Sequence, residues 1–166
     1  EVDRLTLLTT MLLELTRAEG RRTAIKRESI DLRELIRDAA GFLGVLAEEG
    51  RVSIDLDLPD SPVPVSGDWT MLRQAVVNLL DNAIKHSPPD AVVAIACRTH
   101  ADLAEITVAD QGPGIPAEHL PHLFDRFYRV DAARGRQDGD SRGGFGLGLA
   151  ITRWAVESHG GRIAAE

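Results

Sequence analysis

The chain has 166 residues, 43% of them hydrophobic, enough for one well-buried core and a small appendage. Its net charge of −7 argues against a surface built for nucleic acid or an anionic membrane, because either needs a broad basic field; any polyanion must be bound locally. The single cysteine, Cys97, sits in an apolar run, cannot form an internal disulfide and reads as a small core residue, as suits a reducing compartment. No stretch approaches the ~20 apolar residues of a membrane span, and no signal peptide is present. The start at Glu1 and the stop at "GRIAAE" read as cuts from something longer.

In chain order, Leu5, Leu8, Leu12 and Leu15 repeat as the seam of a helix in a coiled coil or bundle, or as the apolar face of an ordinary surface helix. Residues 20–29, "GRRTAIKRES", are polar and basic, a linker or short edge strand, and mark a boundary. Asp31 with Glu34 forms a capping box, and Leu32, Leu35, Ile36, Ala39, Leu43 and Leu46 predict one helix running to about Gly50. Val52, Ile54, Leu56 and Leu58 alternate with polar residues as in a half-buried strand, and "PDSPVPVSGD" turns the chain and leaves Asp68 to cap the next helix. "AVVAIACRT" and "LAEITVAD" predict an antiparallel hairpin turning at His100 to Asp102. From Arg129 to Gly144 the composition is that of a mobile surface loop; a helix then runs from about Phe145 to His159, with Gly160 at its end and a further strand beginning at Arg162. A mixed sheet covered by helices on one face accommodates this order.

Three stretches carry chemistry. In "QAVVNLLDNAIKHSP", the residues Asn78, Asn82, Lys85 and His86 share one helical face, while Leu72, Ala75, Val76, Leu79, Leu80 and Ala83 form a separate apolar stripe. Asn82 can offer its amide oxygen to magnesium, a hard cation, and Lys85 can neutralise phosphate charge; the plainer alternative is a solvated face. "DQGPGIP" places Asp110 at the end of a strand and Gly112 and Gly114 in a turn that backbone could bring close to a flat ligand. A carboxylate there can accept from an exocyclic amine such as that of adenine, or simply serve the turn. "RGGFGLGLAI" sets Gly143, Gly144, Gly146 and Gly148 at a helix start, where successive N–H groups can converge on phosphate oxygens; the register is not that of a P-loop, and a flexible lead-in to the helix is the alternative.

Together these stretches resemble the catalytic and ATP-binding domain of sensor histidine kinases, within the Bergerat-fold ATPases, over almost the whole chain. "NLLDNAIKHSP" looks like the family's N box, "DQGPGIP" its first glycine box, "FDRFYR" its F box and "GGFGLGLAI" its second glycine box. The resemblance implies an α+β fold, a two-layer sandwich with a mixed, mostly antiparallel sheet covered by helices on one face. It implies three segments: residues 1–19 as the end of a dimerisation and phosphoacceptor helix, 20–29 as linker, and 30–166 as the ATP-binding domain, short of its last strand. Asn82 would bind Mg2+, with Asn78 beside it; Lys85 and His86 would face the phosphates of ATP; and Asp110 would read the adenine amine. Gly112, Gly114 and Ile115 would shape the adenine pocket, while Gly144, Gly146, Leu147 and Gly148 would close over the phosphates. Phe124 and Phe127 would anchor the lid, and Arg126 or Arg129 could approach the γ-phosphate.

The family's phosphoacceptor is a histidine followed by Glu and then Pro, a context that none of His86, His100, His119, His122 and His159 has. The resemblance therefore implies transfer to a histidine of a dimerisation domain lying elsewhere, then to the receiver domain of a response regulator, in a homodimeric bacterial plasma-membrane sensor of which this is a cytoplasmic part. Hydrolytic relatives carry a glutamate where this chain has Asn78. Water and serine need such a base, whereas an imidazole is largely neutral with a free lone pair at cytoplasmic pH. Phosphoryl transfer by positioning and charge neutralisation is the expected mechanism, with an ATP hydrolase or a degenerate nucleotide-binding module as the alternatives.

Overall fold

The computed structural model describes residues 25–130 and 146–166; the leucine seam of residues 5–15, the 131–144 segment with Gly143 and Gly144, and Phe145 lie outside them. Strand β1 (Glu28–Asp31) pairs antiparallel with β3 (Pro64–Gly67), Glu28 opposite Gly67 and Asp31 opposite Pro64. Strand β2 (Ser53–Asp57) runs parallel to β4 (Val92–His100), which pairs antiparallel with β5 (Leu103–Ala109), giving the order β2-β4-β5. Helices α1 (Leu32–Phe42), α2 (Gly44–Gly50), α3 (Trp69–His86) and α4 (Gly148–Ser158) accompany the strands. This is the expected mixed α+β arrangement.

The central strand shows why the layers meet as they do. Residues of a strand alternate faces, and Val93, Ile95 and Cys97 of β4 are all fully buried, against Leu35 and Ile36 of α1 and Leu80 and Ile84 of α3. Cys97 is thus the small core residue its sequence context suggests, and burial raises its thiol pKa. The hairpin turns where expected, His100 opposite Leu103, with Ala101 at φ 51°. Among the described residues no helix is long and apolar enough to cross a membrane.

Three expectations need correction. The single helix to Gly50 is two, broken at Leu43 (φ −92°, ψ 3°), whose N–H is shared between the carbonyls of Ala39 and Ala40. Gly41 and Gly44 flank the break, and glycine weakens a helix interior by about 1 kcal/mol relative to alanine. The stretch "PDSPVPVSGD" is more than a turn, because Pro64–Gly67 pairs with β1; residues 28–31, in turn, take up the edge-strand alternative. Arg162 to Glu166 form no strand.

One carboxylate ties the entry to the fold together. Asp31 caps α1, its Oδ1 accepting from the amides of Arg33 and Val63 at 3.1 Å each, while the Arg33 guanidinium lies 2.7 Å from Oδ2 and reaches on to the carbonyls of Pro59 and Asp60. The hydrogen bond from Arg33, aided by the two amides, outweighs desolvation and holds the Asp31 carboxyl far below its usual range. A lowered folded-state pKa means stability that is present above the ordinary carboxylate value of 3.8 and is lost as pH falls below it. Asp31→Asn should lower the melting temperature at neutral pH and shrink its further fall as pH drops below 3.8; an unchanged dependence in that acid range would remove Asp31 from that role.

Candidate functional site

Helix α3 is the element on which the site is built. Asp68 caps it, accepting from the Met71 amide at 3.1 Å, while its own N–H donates to Nε2 of His159 at 2.9 Å. His159 Nδ1 lies 2.7 Å from the Ala155 carbonyl, so the ring carries its proton on Nδ1 and ties the end of α4 to the start of α3. Val76, Val77, Leu80, Ala83 and Ile84 face the core, and Ala75 meets the fully buried Thr152 of α4.

The row of four polar residues survives on the remaining face, but its members differ in how they are held. Asn78 uses both ends of its amide: Oδ1 accepts from Gln74 Nε2 at 2.8 Å and Nδ2 donates to the Gly148 carbonyl at 3.1 Å. Asn82, one turn on and half-buried, makes no side-chain hydrogen bond to any of the described residues. Lys85 pairs with Asp81 at 2.6 Å, and His86 is exposed at the helix end.

The turn after β5 abuts that end. Asp110 Oδ1 accepts from the Gly112 amide at 2.8 Å, which orients the carboxylate, and Gln111 Oε1 accepts from the Val92 amide at 3.1 Å and pins the turn to β4. A Cβ on Gly112 would lie 2.8 Å from both the His86 carbonyl and Asp110 Oδ1, so only glycine lets the turn approach α3 this closely. Gly114 has φ +72°, and Ile115 is 36% exposed beside it.

On the other side of α3, the Phe127 amide donates to the Gly146 carbonyl at 2.8 Å, joining the two boxes that flank the 131–145 segment. Gly146 has φ +71°, and a Cβ there would lie 2.7 Å from the Phe127 carbonyl carbon, two independent reasons for glycine. Phe127 itself has φ 63° and is exposed, Phe124 is half-buried, and Arg126 and Arg129 are exposed. Leu147 is 1% exposed and anchors the start of α4 in the core. Gly148 lies against Asn78, where an added Cβ would stand 3.7 Å from the Asn78 Cγ.

The structure therefore brings Asn78, Asn82, Gly146 and Gly148 to one side of α3, and Lys85, His86, Asp110 and Gly112 to its C-terminal end. Gly144 falls outside the described residues. Sequence reading passed over Gln74, Asp81, Thr152 and His159; the first two lie four residues before Asn78 and Lys85, the hydrogen-bonding spacing of a helix, and Thr152 is a lone hydroxyl in an apolar stripe.

A helix flanked by two glycine turns on a mixed sheet defines the Bergerat class of ATP-binding domain. Residues 67–166 match the family described as "Histidine kinase-, DNA gyrase B-, and HSP90-like ATPase". The chain is 42% identical over 172 residues to the sensor histidine kinase TrcS of Mycobacterium tuberculosis, covering 100% of this chain and 32% of that protein. The solved mycobacterial sensor histidine kinase MprB superposes with a TM-score of 0.66 at 34% identity, covering 81% of this chain and 80% of that one. Full-length ShkA, solved in complex with AMPPNP, gives a TM-score of 0.80 at 26% identity, over 95% of this chain and 32% of that one. The chain belongs to this ATPase family, as the catalytic ATP-binding domain of a sensor histidine kinase, and spans about a third of the length of the curated relatives it matches.

Gly112→Ala should weaken ATP binding about tenfold or more, the equivalent of ~1.4 kcal/mol, by driving the turn away from the His86 carbonyl. Calorimetric titration checks this, and an unchanged affinity would mean that the close approach does not shape the pocket.

Proposed function

We propose that this domain binds Mg-ATP between the Asp110 turn and the glycine-rich start of α4 and transfers the γ-phosphoryl group to a histidine of a dimerisation domain. The observation that carries this reading is the contrast between two asparagines one turn apart. Asn78 has its amide fully engaged and has no proton-accepting chemistry near neutral pH, whereas the Asn82 amide oxygen has no partner among the described residues. An uncommitted, half-buried oxygen donor fits Mg2+, which takes one or two protein ligands and fills its octahedron with phosphate oxygens and water. When bound there, the ion would supply charge neutralisation to the phosphates.

The other roles follow from position. Asp110, oriented by the Gly112 amide, accepts from the adenine amine through its second oxygen, and Gly112, Gly114 and Ile115 line that end. Lys85 exchanges its Asp81 contact for phosphate, with His86 beside it. Gly144, Gly146, Leu147 and Gly148 direct backbone amides at the phosphates, Phe124 and Phe127 anchor the lid, and Arg126 or Arg129 meets the γ-phosphate. The P–O bond to the β-phosphate breaks as a P–N bond to the imidazole forms, and ADP leaves. No base is required of this chain, because a neutral imidazole already has its lone pair. Relay to a response regulator receiver domain, homodimerisation and a place on the cytoplasmic side of a membrane sensor belong to the same proposal.

Asn82→Ala should abolish Mg2+-dependent phosphorylation of a supplied phosphoacceptor domain, and undiminished transfer would refute the role. Asp110→Asn should weaken ATP at least tenfold, since loss of a charge-assisted hydrogen bond is worth ~1.5 kcal/mol or more. The domain alone should release little inorganic phosphate from ATP; rapid release would favour a hydrolase.

A further inference from the structure

Thr152 is the one polar residue fully buried among the described residues, and nothing in the proposed chemistry uses it. Its Oγ1 stands 3.0 Å from the Gly148 carbonyl, four residues back in α4, and 3.4 Å from the Ala75 carbonyl of α3. A threonine in a helix commonly satisfies itself by bonding back to its own preceding turn. Here the arrangement goes further in two respects. The hydroxyl also faces a carbonyl of the neighbouring helix, and the Gly148 carbonyl it shares receives a second donor, Asn78 Nδ2, from that same helix at 3.1 Å. Gln74 in turn holds the Asn78 amide in the orientation that presents Nδ2 to Gly148. Polar groups of α3 and α4 thus converge on one carbonyl, that of the residue two places after Gly146.

We propose that Thr152 and Asn78 are positioning residues that clasp the Gly148 carbonyl and thereby fix the Gly146–Gly148 turn at a set distance from Asn82. The inference rests on the nucleotide site described above. Backbone amides act on phosphate only when held in place, since a misplacement of about 1 Å can cost two orders of magnitude in rate. A valine at 152 would fill the same space and pack as well, yet leave the Gly148 and Ala75 carbonyls without the hydroxyl. The clasp governs the phosphate end of the pocket and lies away from the Asp110 turn, so it should act on the phosphates and leave the adenine contacts alone.

The test compares ATP with AMP, in the presence of Mg2+, by competition against a fluorescent nucleotide, on the chain as it stands. Thr152→Val should weaken ATP at least tenfold while AMP stays within twofold; Thr152→Ser, which keeps the hydroxyl, should retain ATP affinity within threefold. Asn78→Ala should lose the same selectivity, and combining it with Thr152→Val should add less than the sum of the two, because both remove a bond to one carbonyl. An equal loss for ATP and AMP, or a loss that Thr152→Ser shares, would reduce Thr152 to a packing residue and overturn the clasp. Wild-type selectivity for ATP that survives Thr152→Val would overturn the clasp while leaving the kinase reading intact. A wild-type chain with no preference for ATP over AMP would instead contradict the site on which both depend.

Discussion

Helix α3 has to be dry on two sides and wet on a third. Leu80 and Ile84 are sealed against the sheet and α1, and Ala75 is sealed against Thr152 of α4, so the remaining face must carry every polar side chain of the segment from Asn78 to His86. The length of the helix follows from the same demand. Its 18 residues reach from the Asp68 cap, held by His159, to the His86 carbonyl against which the Gly112 turn rests. A shorter helix would meet the core but would not bring the two glycine turns to opposite ends of one polar face.

The site is made chiefly by backbone approaching backbone. Gly112 meets the carbonyl of His86, and Gly146 meets the carbonyl carbon of Phe127, at distances that exclude any Cβ. Such contacts keep side-chain bulk off both turns. The strands and the α1–α3 pair form a packed unit, beside which the Phe127 amide is bonded to the Gly146 carbonyl and His119 to Tyr128 at 2.6 Å.

Much of this was legible in the sequence because the signals were periodic or stereochemically forced. The polar row on α3, the Asp31 and Asp68 caps and the β4–β5 hairpin each follow from spacing or capping chemistry and stand in the structure, although the Asp31 cap forms without the reciprocal Glu34 bond of a capping box. The break at Leu43 was missed because the apolar period continues through it: Leu43 and Ala47 are both buried, so burial alone does not distinguish one helix from two. Strand β3 was missed because its proline-rich stretch reads as a turn, although an edge position tolerates Pro64. Within the site, spacing revealed which side chains share a face, but not which amide is engaged. That Asn78 is tied to Gly148 while Asn82 is not depends on α4 docking some seventy residues later in the chain, a tertiary fact with no local signature.

The most direct test of the account is a structure of the chain with Mg2+ and a non-hydrolysable ATP analogue. The account predicts the Asn82 amide oxygen on the metal at ~2.1 Å and an Asp110 carboxylate oxygen ~3 Å from the exocyclic amine of the same molecule. A nucleotide bound with either residue turned away from it, or a metal held without Asn82, would contradict the claim that one pocket grips both ends.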